Sequence, residues 1–139
     1  MEGITIFNFK INNASEYDFC QINLSLGNES IGDYEQFILA GTLKLSLDEL
    51  LLKLKKTPTI ICTYNNIENL MKKNFFSFPE NSILPVGIES FDGDFAIFVN
   101  INMKDYLLYQ TYNGTNYSVY PLNKKEYTES IRQVLNNLK

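Results

Sequence analysis

A chain of 139 residues is the size of one folding unit, since a single core serves about 100–200 residues. Its 45% hydrophobic and 20% charged residues, with ten Phe and nine Tyr, exclude a disordered tail and supply the apolar surface of a core. There is no histidine, and the net charge is −4. The first fact excludes Ser–His and Cys–His nucleophile pairs, imidazole metal ligands and the usual proton carrier near neutral pH. The second, with its distribution, disfavours nucleic acid as a partner. Residues 1–43 carry six acids and one lysine, 44–75 six lysines and three acids, and 76–103 four acids and no base. A phosphate-tracking surface needs a concentrated positive footprint, whereas acidic blocks steer a basic protein partner.

The opening Met1-Glu2-Gly3 lacks a basic n-region, and the following apolar stretch is broken by Thr5, Asn8 and Lys10. No run approaches the ~18 apolar residues of a bilayer span. Cys20 and Cys62 stand far apart with no Cys-x-x-Cys pair. These features lead us to expect a cytoplasmic protein with two buried thiols rather than a disulfide, no membrane partner and no cofactor.

In chain order, Gly3 to Ile11 reads as a strand, followed by a loop at Asn12 to Ser15. Cys20, Ile22, Leu24 and Leu26 alternate with Gln21, Asn23 and Ser25, the pattern of a half-buried antiparallel strand. Gly27-Asn28 is a turn, and Ser30 to Phe37 a further strand. Ser46 and Glu49 then fit a capping box. It opens a helix whose Leu47, Leu50, Leu51 and Leu54 form one apolar stripe, with lysines at its end and Pro58 as the stop. Thr59 to Tyr64 is extended. A second box, Asn65 with Glu68, leads a short helix with Ile67, Leu70, Met71 and Phe75 on one face. Phe76 to Pro85 is irregular.

Strands return in the last third. Asp92-Gly93-Asp94 is placed as a hairpin turn between Ile88 to Phe91 and Phe95 to Ile101. Tyr106 to Tyr112 and Tyr117 to Leu122 flank Asn113-Gly114-Thr115-Asn116, a strong hairpin signal. Asn123 and Glu126 cap a closing helix with Tyr127, Ile131, Val134, Leu135 and Leu138 on its apolar face. The expected architecture is one α+β domain over residues 1–139. It has a largely antiparallel sheet, an N-terminal strand meander, two central helices, a C-terminal hairpin and a closing helix.

Little here is equipped for catalysis, and we expect no enzyme. Asp33 and Glu35, placed at i, i+2 on a strand, would be a carboxylate pair, but such pairs are mostly solvated acids. Asp92-Gly93-Asp94 lacks the spaced oxygens and terminal glutamate of a calcium loop, and no glycine-rich phosphate loop exists. Metal ligands are therefore not expected. Tyrosines stand out instead: Tyr106, Tyr109, Tyr112, Tyr117 and Tyr120 cluster on the last hairpin. Those on its outer face would suit a protein interface, with cross-strand packing accounting for the others.

One stretch carries a family likeness. Leu26-Gly27-Asn28-Glu29-Ser30-Ile31-Gly32-Asp33-Tyr34-Glu35, then Gly41-Thr42-Leu43 and the leucine-rich helix, resembles the immunity protein 42 family of bacterial polymorphic toxin systems, at superfamily level. The chain departs from that pattern in having no tryptophan and in the extra residues Gln36 to Ala40. The resemblance implies a non-enzymatic antidote that binds and neutralises a cognate toxin in the producing cell. Expected exposure of the acidic and tyrosine-rich surface makes Asp33, Tyr34, Glu35, Asp92, Asp94, Tyr109 and Tyr117 the candidate partner-binding residues. The alternative is a small acidic secretion or assembly chaperone, and both monomer and homodimer remain open.

Overall fold

The computed structural model describes residues 6–12, 18–77, 81–111 and 117–138, without the side chains of 74–77. The expected start at Gly3, most of the first loop, the Phe75 side chain, Tyr112 and the Asn113 to Asn116 turn lie outside the described residues. What is described is an α+β fold with three helices and two mostly antiparallel sheets.

The first sheet is the N-terminal meander. β1 (Phe7–Asn12) pairs antiparallel with β2 (Phe19–Leu26), which pairs at one end with β3 (Glu29–Ile31) and at the other with β4 (Ile38–Leu39). Cys20, Ile22, Leu24 and Leu26 are all buried, so the alternation read from the sequence is the core face of β2. The strand expected over Ser30 to Phe37 stops at Ile31. Gly32 adopts a left-handed φ of 101°, and Asp33 closes a turn in which its Oδ1 accepts from the Glu35 amide at 3.0 Å. Asp33 and Glu35 thus do not share a strand face, because the aspartate bonds locally to the backbone instead.

Helix α1 spans Ala40–Lys56, beginning well before the capping box expected at Ser46. Its N-cap is Leu39, without a side-chain cap, and the Ala40 amide donates to the Asp18 carbonyl at 3.0 Å. Ser46 lies inside the helix, where its Oγ donates to the Val86 carbonyl at 2.8 Å. Leu43 extends the buried stripe of Leu47, Leu50 and Leu54 backward by one turn, and this packing carries the helix past the local cap signal. The far end is as the sequence predicts, with Lys53, Lys55 and Lys56 in the last turn.

The second sheet runs β5-β6-β7-β8. β5 (Ile60–Ile61) pairs parallel with β6 (Phe95–Ile101), β6 antiparallel with β7 (Lys104–Gln110), and β7 antiparallel with β8 (Ser118–Pro121). Ile88 to Phe91 is not a strand paired across the Asp92 turn. Glu89–Phe91 forms a 3-10 turn, and β6 finds its hairpin partner on the other side, through Asn102 and Met103. Both of those residues take positive φ, as a tight two-residue hairpin requires.

Helix α2 (Ile67–Ser77) starts one residue later than the Asn65 cap implies, since the Leu70 amide donates to the Asn66 carbonyl. It covers one face of the second sheet: Ile67 and Met71 pack with Phe95, Ile97, Val99, Ile101 and Leu108. The opposite face, with Ala96, Phe98, Leu107 and Tyr109, belongs to the main core shared with β2, α1 and α3. A sheet covered on both sides explains why β6 reads as an almost unbroken apolar run. Helix α3 (Lys124–Asn137) carries the expected capping box, with the Glu126 amide donating to Asn123 Oδ1 at 2.8 Å and the Asn123 amide to Glu126 Oε1 at 3.1 Å. Its Tyr127 is fully buried between Phe7 and Phe98 and donates to the Ile83 carbonyl at 2.7 Å.

Candidate functional site: an acidic depression between two loops

The exit from β3 and the 3-10 turn before β6 are remote in sequence but touch in the fold. Gly32 makes the approach possible: a Cβ there would lie 2.8 Å from the Phe91 ring and 3.2 Å from Asn23 Cβ, and its φ already disfavours a side chain. Beside it the Asp33 amide donates to the Ser90 carbonyl at 2.6 Å. The second loop is braced internally, its Asp92 amide donating to the Glu89 carbonyl and its Asp94 amide to that of Phe91, both at 3.1 Å.

These joined loops enclose a depression of about 430 Å³ lined by Asp33, Glu89, Asp92 and Asp94, with Ser30, Gly32, Ser90 and Thr111. Among the described residues that line it there is no lysine or arginine, and four carboxylates share the one concavity. Ser90 is 3% exposed, and its Oγ is the one buried side-chain polar atom without a hydrogen-bond partner among the described residues. No group of three or more acidic or cysteine side chains among the described residues converges closely enough to hold a metal ion.

Three of the seven expected residues, Asp33, Asp92 and Asp94, therefore meet at one place. Tyr34 and Glu35 follow Asp33 without lining the depression. Tyr34 is half-buried, its carbonyl accepting from Gln21 Nε2 at 2.9 Å, and Glu35 is exposed. The two hairpin tyrosines are elsewhere. Tyr109 is only 3% exposed, which corrects its reading as an exposed anchor. Its side chain points into the main core and its hydroxyl donates to Glu29 Oε1 at 2.7 Å, linking the two sheets. Burial and the Glu29 carboxylate push its phenol up to about 12. Tyr117 is half-buried on the α2 side of the second sheet. The sequence reading missed Glu89 and Ser90. Glu89 was visible only as part of the base-free acidic block, and Ser90 had no signal.

Of the two thiols expected to be buried, Cys20 lies in the main core, whereas Cys62 is only half-buried beside the second cluster. No described helix is long and apolar enough to cross a membrane. A second, more apolar depression of about 640 Å³ lies at the start of α1, where Leu39, Leu45 and Leu138 meet Asp18 and Lys44. Compared with known proteins, the chain matches no family model, no curated protein and no solved structure.

Proposed function

We propose that this chain is an immunity protein, a binder without chemistry of its own that occludes a toxin made by the same bacterium. The observation that carries this reading is the meeting of Asp33, from the segment resembling immunity protein 42, with Glu89, Asp92 and Asp94 around one depression. A concave negative surface held by backbone hydrogen bonds suits a basic protein partner. Its charge speeds encounter, and its fixed geometry avoids the entropy of ordering loops on binding.

The apolar depression around Leu39 and Leu45 favours a second reading, a chaperone that holds an extended apolar segment. One experiment separates the two. The protein encoded immediately upstream is expressed in a laboratory bacterium with and without this chain, and growth and solubility are followed. Suppressed toxicity with copurification is the expected result. A harmless neighbour that becomes soluble only with this chain would establish the chaperone, and toxicity left untouched would remove the pairing.

A further inference from the structure

We propose that this chain pairs with a second copy of itself through the outward face of α1, the two helices running antiparallel about a two-fold axis at Leu52. The pairing uses a surface apart from the acidic depression and does not rest on the toxin-binding role.

Apolar exposure comes first. Leu43, Leu47, Leu50 and Leu54 turn one side of α1 to the core, and the opposite side carries Leu45, 67% exposed, and Leu52, 59% exposed. Seven residues apart, these two leucines lie along one line of the helix, the spacing of a coiled-coil seam. Exposed leucines alone are ordinary on a protein surface, and it is the charges around them that name the occupant.

Asp48 and Glu49 stand four and three residues before Leu52, and Lys55 and Lys56 three and four residues after it. All are exposed and, at those spacings, share the Leu52 face. At 3.6 residues per turn, Asp48 and Lys55 flank the seam on one side, Glu49 and Lys56 on the other. Each flank is thus acidic before Leu52 and basic after it. A two-fold axis that reverses the helix direction at Leu52 sets Asp48 against Lys55 of the second copy and Glu49 against its Lys56. The symmetry makes each pair twice, the self-complementarity that an isologous interface requires. A parallel pairing would set acid against acid and lysine against lysine.

Within one chain these charges are only partly answered. Asp48 meets Lys44 at 3.4 Å, an exposed pair of small value. Lys55 lines a groove against α3 with Lys124 and Arg132, and no carboxylate is among the described residues that line it. It is on this flank that Asp48 of the second copy arrives. A seam of a few helical turns is smaller than a standard interface, so the dimer is weak, with a Kd on the order of 100 µM.

Sedimentation velocity of the full chain from about 10 µM to 1 mM tests the pairing. The sedimentation coefficient should rise with concentration from monomer toward dimer, and Leu52→Lys should weaken association about tenfold or more. Two charge-reversed chains test the flanks: Asp48→Lys with Glu49→Lys, and Lys55→Glu with Lys56→Glu. Each alone should stay monomeric, and an equimolar mixture should pair again, because all-lysine flanks then face all-acid ones. Circular dichroism confirms that every variant is folded. Ile61→Lys and Met103→Lys, at exposed apolar positions elsewhere, should pair like the unaltered chain. A monomer at every concentration, pairing that survives Leu52→Lys, pairing lost in Ile61→Lys or Met103→Lys, or a mixture that stays monomeric would each overturn the proposal.

Discussion

At Gly32 the absence of one Cβ decides how two loops meet. A side chain there would press on the Phe91 ring and demand a left-handed backbone, so the contact that assembles the acidic depression depends on that residue type. Buried polar atoms are nearly all satisfied nearby. Tyr127 gives its hydroxyl to Ile83, and Ser46 to Val86, which offsets the cost of burying each. Cys20 makes a prediction at this scale. Burial raises its thiol from 9.0 to about 11, and the S–H reaches the Ile38 carbonyl at 3.4 Å. A group raised in the folded state contributes its full stability below the unfolded value and loses it as pH rises through the folded one. Stability to urea should therefore fall between about pH 9 and 11, and Cys20→Ala should flatten that part of the profile; Tyr109 adds a further loss from 10 toward about 12. An unchanged slope in Cys20→Ala would assign the decline to other groups.

Among elements, α3 was legible and the start of α1 was not, although both carry a capping-box pattern. At Asn123 the pattern precedes the apolar stripe, and no upstream residue extends the helix. At Ser46 the same pattern sits inside a stripe that already includes Leu43, and burial of that leucine outweighs a local cap. The expectation follows that Asn123→Ala costs about 1 kcal/mol in urea unfolding, because both reciprocal bonds of the box are lost. A cost near zero would mean that packing of Tyr127 and Ile131 alone sets the end of that helix. The β6–β7 hairpin was also missed. Its Asn102-Met103 turn contains no glycine, and only the pairing of the strands forces Met103 into positive φ.

For the whole molecule, charge matters more than any single acid. The acidic segments that looked separate in sequence, around Asp33 and around Asp92, form one negative concavity after folding. If the proposed toxin engages that face, raising ionic strength from about 0.05 to 0.5 M should slow association by roughly tenfold while dissociation changes less. Stopped-flow mixing of the two purified proteins measures both rates. An association rate indifferent to salt would place the interface elsewhere, with the apolar depression at Leu39 and Leu45 the next surface to test.

By itself the sequence determined the α+β class, the inward face of β2, the apolar stripes of α1 and α3, the Ile67, Leu70 and Met71 part of the α2 stripe, and the cap of α3. Those features follow from local periodicity and from side chains that bond within a few residues of themselves. Only the tertiary structure decided that the strands divide into two sheets and that Tyr109 faces a core rather than a partner. It also decided that Asp33 joins Glu89, Ser90, Asp92 and Asp94. Each of these depends on contacts between residues far apart in the chain, where period and propensity carry no information and burial energy chooses the partner.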